Sequence, residues 1–363
     1  MHPRDLSAHS EYVPGRGIEE VARDLGLDAD ELVKLSSNEN PHGASPAAVE
    51  AVETAANRVN HYPTAAHGDL TAALAEHWGV ADEQVWVSPG ADGAIDYLGR
   101  ALLRPGDDVL VPEPGFSYYP MSARYHHGET ATYELSKADD FAMDADAVLD
   151  AYDGERIVYV TSPHNPTGQT MAAAEIDRLL AAVDDHTLVA VDEAYGEYHD
   201  APSAAERLSG GDAPDNLAVL RTFSKAYGLA GLRVGYAVVP PAWADAYAKV
   251  NTPFAANEVA LRAALAALDD EAFVEHTVES ARWAREYMHA ELDARTFEGA
   301  GNFVLAAVGD AAAVAERARE RGVIVRDCTS FGLPGCVRVS CGTEAETRTA
   351  VKTLNEVLAE VEP

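Results

Sequence analysis

Lys225 lies in the run Thr222-Phe223-Ser224-Lys225-Ala226-Tyr227-Gly228-Leu229-Ala230-Gly231-Leu232-Arg233, which sets one amine among hydroxyls and glycines, with an arginine eight residues on. An amine that loses its proton to desolvation and to a neighbouring cation can join an aldehyde as a Schiff base, so the run suits the covalent anchor of an aldehyde cofactor. Glycines at 228, 231 and 235 let the backbone turn tightly and approach a ligand. Arg233, with the Thr222 and Ser224 hydroxyls, suits a phosphate. A surface lysine is the competing reading. The chain has only five lysines, however, and Lys225 alone among them is set in hydroxyls and glycines.

Several other short runs carry polar groups just after an apolar stretch. Val85-Trp86-Val87 leads into Ser88-Pro89-Gly90-Ala91-Asp92, a strand, a glycine turn and a helix start whose free amides at Gly90, Ala91 and Asp92 can bind an anion. Asp108 to Val111 precedes Pro114-Gly115-Phe116, which places the Phe116 ring against a flat ligand. Ile157 to Thr161 runs into Ser162-Pro163-His164-Asn165-Pro166, and Leu188 to Val191 into Asp192-Glu193-Ala194-Tyr195. The Asn165-Pro166 bond is a candidate cis peptide. His164 has no second histidine at ligand spacing, so no metal site is expected. His126-His127 reads as a solvated loop.

Apolar strands alternating with helices predict an α/β fold with a mostly parallel sheet covered on both faces. Open sheets of this kind bind ligands at the carboxyl ends of their strands, which would gather Asn165, Asp192, Tyr195 and Lys225 along one edge. The predicted division is an N-terminal segment over 1–45, a large domain over 46–255 and a smaller α+β domain over 256–363. The last contains strands near 302–308, 322–325 and 337–341, with Arg326 and Arg338 at strand ends. Tyr62, before Pro63, must be extended and projects from a loop.

Composition sets limits. A chain of 363 residues, 47% apolar, is long enough for two cores and too apolar for disorder. No apolar run approaches membrane-spanning length, and Met1 to Ser7 lacks a signal-peptide plan, so the expected location is cytoplasmic. Cys328, Cys336 and Cys341 form no CxxC pair and read as reduced core thiols. A net charge of −33 spread along the chain argues against nucleic acid and anionic membranes as partners. It fits a surface adapted to concentrated salt, where charges are screened within about 3 Å at 1 M.

Taken together, Asn38-Glu39-Asn40-Pro41-His42-Gly43, Asn165-Pro166-Thr167-Gly168, Asp192-Glu193-Ala194-Tyr195, Ser224-Lys225 through Arg233, and Val337-Arg338-Val339-Ser340 resemble the fold type I aminotransferases. Within these they resemble the histidinol-phosphate aminotransferase family. The resemblance implies pyridoxal 5'-phosphate joined to Lys225, with Asp192 on the ring nitrogen, Asn165 and Tyr195 at the ring's 3-oxygen and Phe116 stacked on the ring. Gly90, Ala91, Asp92, Thr222, Ser224 and Arg233 would surround the phosphate. Tyr62 would reach the phosphate of a neighbouring subunit, which implies a homodimer with a shared site. Arg326 and Arg338 would take the substrate's anion, with Tyr12 closing over it and Asn38 beside it.

The implied reaction is a ping-pong transamination between histidinol phosphate and 2-oxoglutarate. Three rivals share much of this pattern. An aromatic-amino-acid aminotransferase would keep glutamate-dependent turnover with a donor that lacks phosphate, and a threonine-phosphate decarboxylase would release carbon dioxide. A non-catalytic cofactor-binding regulator would show no spectral response to amines.

Overall fold

The computed structural model describes residues 2, 6, 7, 9, 11, 17–26, 28–64 and 67–361. Its strands are β1 (Val33–Lys34), β2 (Val85–Ser88), β3 (Asp108–Glu113), β4 (Glu129–Glu134), β5 (Ile157–Thr161), β6 (Leu188–Asp192) and β7 (Leu217–Thr222). They continue as β8 (Gly235–Val238), β9 (Arg295–Phe297), β10 (Phe303–Ala307), β11 (Val323–Ile324), β12 (Arg326–Asp327) and β13 (Cys336–Ser340).

Strands β5, β6 and β7 are rich in Val, Leu and Ile and buried at every position, as a sheet covered on both faces requires. They form the middle of a seven-stranded sheet ordered β2-β8-β7-β6-β5-β3-β4. All neighbouring pairs are parallel except those of β8, which runs antiparallel to both β2 and β7. The expected mostly parallel sheet is present. Its polar edge strand β4, reading Glu-Thr-Ala-Thr-Tyr-Glu, carried no apolar run to announce it.

A second sheet, ordered β12-β13-β10-β9, is antiparallel throughout and packs against the helices Glu271–Glu291, Ala311–Glu320 and Glu344–Leu358. The last helix starts at a capping box, Thr343 with Glu346. Near the N-terminus β1 pairs in parallel with β11, which fastens the Asn38 region to this second unit. Helix Glu258–Leu268, capped by Asn257, buries Ala260, Ala263, Ala264 and Ala267 in the same core as the large sheet.

The three cysteines are buried and free, and burial pushes the Cys328 and Cys341 thiols up to about 12, so they stay protonated. The loop reading of His126-His127 needs correction at His126. Its ring is half-buried over Gly99 and its Nε2 lies 3.4 Å from Asp96 Oδ1, because the helix Tyr118–Tyr125 turns it inward; His127 is exposed.

Candidate active site

The carboxyl ends of the large sheet open into a cavity of about 490 Å³. From the large sheet and its loops it is lined by Ala91, Asp92, Phe116, Asn165, Asp192, Tyr195, Thr222, Ser224, Lys225 and Arg233. Arg326, Arg338 and Phe331 line it from the second unit, and Lys34, Ser36, Asn38 and Glu39 from the N-terminal run. The residues picked from four separate strand ends therefore share one wall. One pick falls elsewhere and another is not described. Tyr62 is 82% exposed and its ring lies 4.7 Å from that of Phe254 on the outer surface, while Tyr12 lies outside the described residues.

Asp192 ends β6, 3% exposed. Its Oδ2 accepts from the Tyr119 hydroxyl at 2.6 Å and its Oδ1 from the Ala194 amide at 2.9 Å. Burial pushes its carboxyl up to about 6, and the Tyr119 hydrogen bond pulls the other way. Among the described residues no cation pairs with it, so the position is suited to a cationic ligand atom. Tyr119, itself buried and 2.8 Å from Thr161 Oγ1, escaped the sequence reading. Its place depends on the direction of a short helix that follows the cis Glu113-Pro114 bond. The expected cis Asn165-Pro166 bond is present, as is one at Ser162-Pro163.

One β-strand away from Asp192, Thr222 ends β7. Its hydroxyl lies 3.0 Å from Ser224 Oγ and accepts from the Ser224 amide at 3.1 Å. Arg233, held at a positive φ of 54°, donates to Ser224 Oγ at 3.3 Å and to Asp92 Oδ2 at 2.9 Å. These groups and the start of the helix Gly90–Leu102 form a cup. Gly90 is required there: its φ is 77°, and a Cβ would strike the Arg233 guanidinium. Gly228, at φ 71°, lets the Lys225 loop press on the Gly43 carbonyl. The Lys225 Nζ sits 5.5 Å from the centre of the Tyr195 ring. The Phe116 ring, edge-on to Tyr119 at 5.5 Å, also faces the cavity.

Behind this wall, Arg221 is buried between Glu193 (2.8 Å) and Glu197 (2.5 Å) with its guanidinium over Trp78. The three charges tie the end of β7 to the turn that follows Asp192. Buried ions so matched in position hold a geometry that either one alone could not.

The opposite wall is anionic-ligand chemistry. Arg338 is buried, donates to Asn165 Oδ1 at 2.5 Å and to the Ser36 carbonyl at 2.9 Å, and faces β12 directly across from Arg326. Both guanidiniums lie over the Phe331 ring. Asn38, at φ 52°, donates from Nδ2 to the Tyr195 hydroxyl at 2.9 Å and accepts from Ser340 Oγ at 2.8 Å. Ser340 is a second residue missed in the sequence, since its contact spans 302 positions. His164 is fully buried, bonded to Thr167 Oγ1 at 2.8 Å and lowered by burial to about 3, a neutral core residue.

A cup of backbone amides, hydroxyls and one arginine, a buried carboxylate suited to a cation and a lysine lining the same cavity are the equipment of an enzyme that acts through a bound pyridinium aldehyde. The profile of the aminotransferase class I and II family matches residues 30–354. The chain belongs to that family. It is 66% identical to the histidinol-phosphate aminotransferase of Haloferax volcanii over 361 residues, 99% of each chain, and 67% identical to that of Halorubrum lacusprofundi over 99% of this chain and 98% of the other. These matches place it among the histidinol-phosphate aminotransferases. In structure it resembles that enzyme from Sinorhizobium meliloti in complex with pyridoxal-5'-phosphate, with a TM-score of 0.85, 27% identity, and 99% and 100% of the two chains covered. It also resembles Thermus thermophilus aspartate aminotransferase with maleate, with a TM-score of 0.82 and 26% identity over 98% of this chain and all of the other. No helix among the described residues is long and apolar enough to cross a membrane.

Proposed function

We propose that the protein transfers the amino group of L-histidinol phosphate to 2-oxoglutarate, giving imidazole-acetol phosphate and L-glutamate, with pyridoxal 5'-phosphate as cofactor. The observation that carries this reading is the pairing, in one cavity, of the Asp192–Lys225 wall with the Arg326–Arg338 wall. The relatives at 66% and 67% identity support the choice of substrate.

When bound, the cofactor supplies an aldehyde that takes up the amino group and a protonated ring that draws electrons from the bond to be broken. The residues present fit it. Asp192 would hold the ring nitrogen, its two oxygens being fixed by the Tyr119 hydroxyl and the Ala194 amide. Arg233, Ser224, Thr222 and the amides of Gly90, Ala91 and Asp92 would hold the phosphate. Phe116 would stack on the ring. Tyr195 and Asn165 would hold the 3-oxygen, and each is itself held, by Asn38 and Arg338 respectively. Lys225 Nζ would anchor the cofactor and, when free as an amine, would take the proton from the substrate's α carbon and later return one. Arg338 and Arg326 orient the phosphate of one substrate and the carboxylate of the other.

A homodimer is part of the proposal. The exposed Tyr62–Phe254 pair stands away from its own cavity, as a residue serving a partner's site must. We further propose the three-part division at residues 45 and 255; helix Glu258–Leu268, the first element past the second boundary, packs its alanines into the core of the large part. The acidic surface is read as an adaptation to concentrated salt within the cell, and Tyr12 as a residue that closes over the bound anion.

The test is a competition assay in molar KCl with histidinol phosphate, phenylalanine and phosphothreonine as donors to 2-oxoglutarate. Preference for histidinol phosphate by a factor of a hundred or more in kcat/KM is expected. Equal use of phenylalanine, or release of carbon dioxide from phosphothreonine, would refute the reading.

A further inference from the structure

The two substrates that use the arginine wall differ in charge. A phosphate monoester is nearly dianionic at neutral pH and a carboxylate is monoanionic. Two arginines can satisfy the two oxygens of a carboxylate, whereas a phosphate carries a third terminal oxygen and a second charge that a further cationic donor can meet. Apart from Lys225 and Arg233, which belong to the cofactor wall, one further cation lines the same cavity as Arg326 and Arg338: Lys34, the last residue of β1. It stands two residues before Ser36, whose carbonyl is bonded to Arg338, and its partner across the β1–β11 pair is Ile324, two residues before Arg326. Lys34, Ser36, Arg326 and Arg338 all line the cavity.

Its charge is already spoken for. Lys34 Nζ lies 2.8 Å from Glu39 Oε2, and the two ends of this pair are placed unequally. The Lys34 side chain is 15% exposed, whereas Glu39 is 52% exposed. Glu39 can therefore turn into water at little cost while Lys34 stays inside. An ion pair with one exposed end is weaker than a charge-assisted hydrogen bond to a phosphate.

We propose that Lys34 is a specificity-determining residue that exchanges Glu39 for the substrate's phosphate and so favours the phosphate ester over a carboxylate at the same arginines. A monoanion satisfied by Arg326 and Arg338 leaves Lys34 on Glu39, so one site accepts both partners of the exchange at different strengths. The inference rests on the proposed histidinol-phosphate reaction.

The test uses cofactor-loaded enzyme at one fixed KCl concentration and measures KM and kcat for histidinol phosphate and for glutamate, together with inhibition by inorganic phosphate. Lys34→Gln should raise KM for histidinol phosphate about 10- to 30-fold and that for glutamate less than about threefold, the size of one lost charged hydrogen bond. The inhibition constant of inorganic phosphate should rise in step. Lys34→Arg should restore both, and Glu39→Gln, which frees the lysine, should lower them below wild type. Equal weakening of both substrates, or no change in either, would overturn the inference. If wild type ignores histidinol phosphate altogether, the parent reading falls, and inorganic phosphate inhibition that is the same in wild type and Lys34→Gln would then remove the Lys34 role as well.

Discussion

The wall of the cavity that meets the cofactor and the wall that meets the substrate's anion are built by different means. The first stands on strands of one sheet: Asp192 on β6, Thr222 and Ser224 at the end of the adjacent β7, and, across β8, the amides that begin the helix Gly90–Leu102 after β2. Hydrogen bonds along the strands set their spacing, and the buried Arg221–Glu193–Glu197 cluster braces it from behind. The second wall is a meeting of chain segments far apart in sequence, with Ser36 and Asn38 bonded to Arg338 and Ser340 across 302 positions each. The cofactor wall can stay fixed through every turnover. The anion wall depends on how the second unit sits, and it must receive two different substrates.

Substitutions should separate the two walls, and the largest effect belongs to the first. Lys225→Ala removes both the anchor and the proton carrier, so kcat should fall about 10⁴-fold or more with each donor alike, measured by steady-state assay. A loss confined to one donor would move Lys225 to the other wall. Arg338→Ala should cost about 10²- to 10³-fold in kcat/KM for both histidinol phosphate and glutamate, since it strands buried partners and removes a charge-assisted contact. Cofactor affinity should fall far less, by the lost support of Asn165 alone, and a matching loss of cofactor would erase the distinction.

Asp192 tests the first wall without substrate. Its carboxyl, raised to about 6 by burial, keeps a proton that the unfolded chain has lost above about 4. Stability of the cofactor-free protein should therefore fall as pH rises through that window, and Asp192→Asn escapes this loss. In urea titrations the variant should gain on the wild type between pH 4 and pH 7, by on the order of 3 kcal/mol. Loading the cofactor should shrink the gap, because a cation then faces the carboxylate. A gap that does not change with pH would contradict the burial argument. Arg326→Lys should be mildest, about tenfold in KM for histidinol phosphate, since it keeps the charge and loses only the planar fork over Phe331.

The same contrast explains what could be read from the sequence. Asn165, Asp192, Lys225 and the Gly90-Ala91-Asp92 turn were legible because each follows its own apolar strand, and parallel strands bring such ends to one edge. Arg326 and Arg338 were legible only through family likeness. Tyr119 was not, because two adjacent tyrosines after Pro-Gly do not reveal which one turns inward. Ser340 and Lys34 gain meaning only when β1 joins β11 and the Asn38 run crosses β13. Strands β4 and β8 escaped for a simpler reason. One is a polar edge, and the other begins at Gly235, a glycine that in sequence reads as a tight turn.

Attachment of the cofactor at one nitrogen is the claim on which both walls depend. Borohydride reduction of the cofactor-loaded protein, followed by peptide mapping, tests it directly. The cofactor's mass should appear on the peptide that contains Lys225 and on none containing Lys34, Lys137, Lys249 or Lys352. Label on any of those four, or no label in a protein that retains turnover, would contradict the account.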